Sequence, residues 1–193
     1  MTPFSMGKRI LDVTVAIALA MLFLPFWLIV PLAIFWEDLV NYLRGKGGFG
    51  QILYTQPRVG KDNKLFEILK FRSMVANADD LLWKDPKYQS LREEYKKKDW
   101  KLENDPRVTR VGKLLRRLSI DEFPQVFNVL MGDMSVVGPR AYRPHELTIQ
   151  QKKYPETEKL IKVALMAKPG ITGLWQVSGR NDVPFDKRIS IDA

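Results

Sequence analysis

Two adjacent carboxylates, Asp121 and Glu122, stand in the stretch RRLSIDEFPQVFNVLMGDMSVVGPR at 116–140, between the pair Arg116 and Arg117 and a Gly-Pro-Arg ending at Arg140. Carboxylates among guanidinium groups suit phosphoryl chemistry. Asp and Glu can form covalent phosphoryl intermediates, Mg2+ prefers carboxylate and phosphate oxygens, and the forked arginine donors match phosphate. The competing role is structural, because Ser119 with Glu122 three residues on fits a capping box. Pro124 argues against that register: a helix capped at Ser119 would need the missing proline N–H at its fifth residue. A cap at Asp121 puts Pro124 harmlessly in the first turn. This register predicts a helix from Asp121 to about Met131, with Phe123, Val126, Phe127 and Leu130 on the buried stripe and Gly132 as the stop. The positive end of that helix would open at Asp121 and attract phosphate. On local physics alone, chemistry and capping with ordinary ion pairing remain equal alternatives.

Several elements must position this pair. QILYTQPRVGKDNKLFEILKFRSM at 51–74 reads as two strands joined by a turn at Lys61 to Lys64. Strand periodicity puts Phe66, Ile68, Lys70 and Arg72 on one face, where the two cations either enter a site or guard an edge against aggregation. Residues 77–105 read as charged surface helices broken at Pro86. RVTRVGKLLRRL at 107–118 spaces Val108, Val111, Leu114, Leu115 and Leu118 as one apolar stripe within a basic helix, suited to a membrane interface or an anion site. Beyond Arg140 a helical pattern runs to Lys162. Turn glycines at 170, 173 and 179 then surround an expected GLWQV strand. Glu37 to Gly50 reads as a Gly-rich connector.

Lys and Arg outnumber Asp and Glu by 31 to 22, a formal charge of +9 that implies anionic partners: phosphates, nucleic acid or a lipid surface. The absence of cysteine excludes disulfides, thiolate catalysis and Cys-ligated metals, and fits a reducing compartment. The single histidine, His145, cannot build a zinc or Ser-His site alone and reads as an exposed polar residue. Val13 to Trp36 carries no charge, and 24 such residues would extend about 36 Å as a straight helix, beyond the roughly 30 Å apolar core of a bilayer. Pro25, in the middle of this run, predicts a kink. Lys8 and Arg9 precede the run and the remainder after it is also net positive, so a simple span would put one basic flank on the wrong side. Spanning helices are commoner and tolerate proline, so the residues by themselves favour a kinked span over a helix that returns to the same leaflet.

KFRSM at 70–74, NDPRVTRVGKLLRRLSIDEFPQVFNVLMGDMSVVGPR at 104–140 and KPGITGLWQVSGRN at 168–181 resemble the bacterial monotopic phosphoglycosyltransferases, which load polyprenol phosphate with a sugar phosphate. KRILD ahead of a proline-interrupted apolar helix is similar to that family too. The resemblance implies an α+β fold. The expectation is a mostly helical monotopic membrane protein with a re-entrant N-terminal helix over 1–36 broken at Pro25, amphipathic interfacial helices, a small β-hairpin, and a catalytic domain over 37–193 at the cytoplasmic face of the bacterial inner membrane. It reverses the preference for a span. The implied reaction moves hexose 1-phosphate from a UDP-hexose to undecaprenyl phosphate and releases UMP, as the first membrane step of O-antigen, capsule or exopolysaccharide synthesis. Asp121 would be the nucleophile and Glu122 its partner, with Mg2+ on one or both; Lys70, Arg72, Arg116, Arg140 and Arg180 would bind phosphates or the nucleotide. Membrane lipids are further expected partners, and an oligomer is compatible with this reading. Ala141 stands where the family usually repeats proline, and the chain stops at FDKRISIDA before the family's C-terminal aromatic segment. The alternative is a membrane-tethered module that binds nucleic acid or lipid without catalysis. It explains the charge but not the Asp-Glu-x-Pro motif, so nucleic acid is not an expected partner.

Overall fold

The computed structural model describes residues 3–97, 102, 105–178 and 183–193, with side chains described for these residues except 3–5, 96 and 97. The chain divides into two compact units. One is built from Met1–Leu24, Thr55–Lys70 and Glu122–Ala193, the other from Pro25–Tyr54 and Phe71–Asp121.

The first unit begins with helix α1, Pro3–Leu22. Its regular bonding ends where Pro25 offers no N–H: the amide of Leu24 turns tightly onto the carbonyl of Met21 at 3.1 Å. The strands β1, Leu53–Val59, and β2, Leu65–Phe71, pair as the expected hairpin. Its turn places Asp62 and Asn63 at φ 55° and 62°, a left-handed conformation that a short polar side chain tolerates. Two short strands, β3 at Ser135–Val137 and β4 at Gly170–Thr172, pair in parallel with Ser135 opposite Gly170. Helices α6 (Gln125–Met131), α7 (Pro144–Lys153), α8 (Glu158–Ala164), α9 (Leu174–Val177) and α10 (Phe185–Asp192) complete the unit.

Its apolar interior has two centres. Ala16, Ile68, Val129, Met134 and Ala141 join α1, β2, α6 and the start of β3. Val59, Tyr142, Leu147, Ile161, Ala164, Phe185 and Ile189 join the hairpin to α7, α8 and α10. Burying a side chain such as Val129 or Ile189 contributes on the order of 1.5–3 kcal/mol. One buried polar residue organises the first centre. The Asn128 side chain accepts from the Leu69 amide at 2.9 Å and donates to the Glu67 carbonyl at 2.8 Å, so α6 supplies β2 with hydrogen-bond partners. At the other end of α6, the guanidinium of Arg9 donates to the carbonyls of Val129 and Leu130 in its last turn.

The second unit holds α2 (Phe26–Leu43), α3 (Ala78–Lys84), α4 (Gln89–Lys97) and α5 (Arg110–Leu118). Helix α2 does not stop at Trp36 as the connector reading of 37–50 expected. It continues to Leu43 because Glu37 and Asp38 find hydrogen-bond donors within the unit. Val30, Ile34 and Asp38 form its buried stripe, while Leu28, Ile29, Leu32, Phe35 and Trp36 are exposed. It is the helix, among the described residues, long and apolar enough to cross a membrane.

Four further expectations are corrected. Helix α6 starts at Gln125, not Asp121: Pro124 takes the capping position, and Ile120–Glu122 form a separate 3-10 turn. The buried face of α6 is also rotated, since Phe127 is 42% exposed while Asn128 and Val129 are fully buried. The expected stripe of α5 is split, with Leu115 inside and Leu114 and Leu118 outside. GLWQV is not a strand; the extended segment ends at Thr172, and a single helical turn tucks Trp175 into the interior.

Candidate active site

Asp121 and Glu122 share one 3-10 turn, yet the division between the two units falls at the bond that joins them. On the Asp121 side, the supporting element is α5. Its left-handed C-cap, Ser119 at φ 57°, ends the helix and redirects the chain into the turn carrying Asp121. Ser119 therefore closes the preceding helix rather than opening the next one. Asp121 is 8% exposed, and the opposite charge of Arg116 acts on it from the last turn of α5. Arg116 is oriented in turn by Ser73, whose hydroxyl accepts from Nε at 2.8 Å. The electrostatic support of Asp121 thus comes from a named cation, where the sequence suggested a helix N-terminus.

Ser73 is a junction. Its carbonyl accepts from the Thr109 amide at 3.2 Å, and Gly112 lies so close that a Cβ there would come within 1.9 Å of the same oxygen. Only glycine lets α5 approach this closely. Arg72, the residue before Ser73, is 8% exposed. Its Nε donates to the Gln51 carbonyl at 2.7 Å and its Nη2 to the Asp38 carboxylate. The neighbouring Arg107 is 2% exposed and paired to Asp105 at 2.6 Å, which puts it in the interior rather than on the polar face of a basic helix.

On the Glu122 side, Lys70 at the end of β2 donates to Oε1 at 2.6 Å. The two side chains are 23% and 42% exposed. Burial works against ionising Glu122. The charge and hydrogen bond of Lys70, joined by the charges of Arg140 and Arg58, outweigh it and hold the carboxyl below the ordinary glutamate value. Arg58 is a buried member, donating to the Ala141 carbonyl at 3.1 Å and to Gln56 at 3.0 Å.

Arg140 has a built setting in the same unit. Its guanidinium lies 5.1 Å from the Trp175 ring centre and 5.8 Å from that of Tyr142, and its amide donates to Asp192 at 3.0 Å. Arg188 approaches the Trp175 ring at 5.2 Å. Cation–π contact of this kind holds an arginine head without consuming its N–H donors. The structure thus brings Lys70 and Glu122 into direct contact, places the charge of Arg140 within reach of Glu122, and sets Arg116 beside Asp121. Arg72 faces Asp38, and Arg180 lies outside the described residues. Sequence reading missed Ser73, Glu37, Asp38, Arg58 and Trp175. Ser73 and Trp175 were visible within the motifs KFRSM and GLWQV, whereas Glu37 and Asp38 carried no local signal beyond being the first acids after the apolar run. Among the described residues no group of three or more His, Cys, Asp or Glu stands together as a ready metal cage.

A family model described as bacterial sugar transferase matches residues 4–193. The undecaprenyl-phosphate galactose phosphotransferase of Salmonella typhimurium is 50% identical over 148 residues, covering 75% of this chain and 29% of that protein. The UDP-glucose:undecaprenyl-phosphate glucose-1-phosphate transferase of Klebsiella pneumoniae is 36% identical, over 96% of this chain and 35% of its own length. The exopolysaccharide production protein ExoY of Rhizobium meliloti is 38% identical, over 97% of this chain and 75% of its own. The chain therefore spans about a third of the length of several curated relatives and about three quarters of others. With a match that runs through the hairpin, the Asp-Glu turn and the Gly-Pro-Arg, the chain belongs to the bacterial sugar transferase family.

Proposed function

We propose that the chain transfers hexose 1-phosphate from a UDP-hexose to undecaprenyl phosphate, in two steps through Asp121. A carboxylate oxygen of Asp121 attacks the phosphorus that bears the sugar, the bond to the bridging oxygen breaks, and UMP leaves. The phosphate oxygen of the polyprenol then attacks the same phosphorus and expels Asp121, giving the diphosphate-linked sugar. The observation that carries this reading is the setting of the dyad: a nearly buried aspartate faced by Arg116, next to a glutamate held ionised by Lys70. Cations of fixed orientation stabilise charge that builds on phosphoryl oxygens without reorganising. Lys70 and Arg140 are the residues best placed on the Glu122 side to meet phosphate oxygens.

Mg2+ fits this chemistry as an ion shared with substrate. It takes one or two carboxylates and fills its remaining positions with phosphate oxygens and water, which suits two carboxylates adjacent in the chain without a larger acidic or histidine cluster among the described residues. Bound there, it would neutralise diphosphate charge. Asp121 and Glu122 are the residues that would hold it.

The apolar exterior supports a bilayer location. In one unit Ile10, Leu11, Met21 and Leu22 on α1 and Phe127 and Met131 on α6 are exposed; in the other, Leu28, Ile29, Leu32 and Trp36 on α2 and Leu114 and Leu118 on α5. Exposed apolar surface of this extent marks an interaction with membrane or partner. A helix pair that enters and leaves by the cytoplasmic leaflet of the inner membrane would keep both basic flanks on the anionic side and hold the dyad at headgroup depth.

The test is UMP release from the full chain with Mg2+, undecaprenyl phosphate and a panel of UDP-hexoses. Asp121→Asn should lower release by about 10^4-fold, the scale of removing a nucleophile, and leave membrane association intact. Full activity in that variant would remove Asp121 from the role.

A further inference from the structure

The polar end of α2 is tied into the segment carrying Asp121 by two carboxylates that bind no substrate in the scheme above. Glu37 reaches the N-terminus of α5, where Oε1 accepts from the Arg110 amide at 2.7 Å and Oε2 from the Val111 amide at 3.1 Å. Thr109 caps the next amide, that of Gly112, at 2.9 Å. The amides at the start of α5 are thereby satisfied, and most of that cap comes from another helix, more than seventy residues earlier in the chain.

Asp38, the next residue, is 6% exposed and takes both the Arg72 guanidinium and the Gly50 amide, the latter at 3.2 Å. The remaining bonds of Arg72 go to backbone groups: Nε to the Gln51 carbonyl, Nη1 to that of Met74 at 3.5 Å, and the backbone amide to that of Ile52 at 2.8 Å. An arginine engaged in this way and almost without exposure is poorly placed to take a phosphate. It is well placed to fix its neighbour, Ser73, which orients Arg116. From Asp38 the contacts run Arg72, Ser73, Arg116, Asp121; from Glu37 they run down α5 to the same arginine. Both routes lie within one unit.

We infer that Glu37 and Asp38 are positioning residues, a two-carboxylate clamp through which the seating of α2 sets the Arg116–Asp121 geometry, and that Arg72 serves this clamp and does not bind substrate. The inference rests on the reading of Asp121 as the nucleophile. A misplacement of about 1 Å at a reacting group can cost on the order of 100-fold in rate, so the clamp should be read in kcat.

The experiment is a double-mutant cycle on the full chain in lipid nanodiscs, with kcat and KM for the UDP-hexose measured for Asp38→Asn, Arg72→Gln and the pair. The expected result is a kcat loss of at least about 10-fold in each single variant, KM within about 3-fold of the parent, and a double variant no worse than the poorer single, as for residues acting as one unit. If Arg72→Gln raises KM by about 10-fold or more while kcat is retained, or if losses multiply in the double variant, Arg72 is a substrate ligand and the clamp is overturned. Where the Asp38 variants do not fold, Glu37→Gln carries the test, since it leaves the buried ion pair whole. It should accelerate amide exchange at Arg110 and Val111 and lower kcat with KM unchanged. Faster exchange with kcat at the parent value would overturn the inference. Absence of UMP release from the parent chain would instead refute the reaction, while the exchange measurement would still report on the clamp.

Discussion

Two neighbouring carboxylates receive opposite treatment. Asp121 is nearly buried, at the end of a helix whose closing turn supplies one oriented guanidinium. Glu122 is 42% exposed at its side chain and already neutralised by a lysine in direct contact. A carboxylate that attacks phosphorus gains from dry surroundings, because burial strips away the water that would otherwise solvate it. A partner that binds a metal or readies a second substrate must stay reachable and charged. Under the proposed reaction, the buried Asp121 suits the covalent role and the more exposed Glu122 the auxiliary one.

The comparison can be broken or sharpened by mutation. The largest contrast within the dyad lies between Asp121→Asn, already described, and Glu122→Gln, which should lower kcat by about 10^2-fold, the range of an acid–base or positioning group. Equal losses in the two would erase the distinction, as read by UMP release under saturating substrate. Next in size, Gly112→Ala drives a methyl against the Ser73 carbonyl. It should cost about 1–3 kcal/mol of stability, the range for overpacking, measured by thermal unfolding. If the melting temperature is unchanged, the close approach of α5 to Ser73 is wrong.

The smallest effect is one of pH. The folded-state pKa of Glu122 lies below its free value, so ionised Glu122 contributes stability above the ordinary glutamate range and loses it as pH falls through the depressed value. Lys70→Met removes the first of the favourable charges. The acid limb of the kcat/KM profile should then move to higher pH, and a limb that stays in place would separate Glu122 from Lys70.

Local patterns carried much of this arrangement in advance. The alternation around Lys70 gave the hairpin, Pro86 marked the gap between α3 and α4, and the basic repeat at 107–118 gave α5. What stayed hidden depended on partners far away in the chain. Helix α2 runs past Trp36 because its two acids meet amides and an arginine contributed by residues 50, 72, 110 and 111. The start of α6 was misjudged because a 3-10 turn can hold Asp121 and Glu122 as well as a first helical turn can, and nothing local decides between them. Asn128 and Phe127 exchange their expected places because β2 needs an amide partner, and the apolar ring is left outside. Arg72 alternates in phase with Lys70, yet one cation finds Glu122 and the other Asp38.

The most direct test is to incubate the full chain with Mg2+ and a radiolabelled UDP-hexose, without lipid acceptor, and to locate the label by mass spectrometry of peptides. The account predicts UMP released in proportion to enzyme and a phosphosugar adduct on Asp121 that disappears when undecaprenyl phosphate is added. An adduct on Glu122, or UMP release only when both substrates are present, would contradict it.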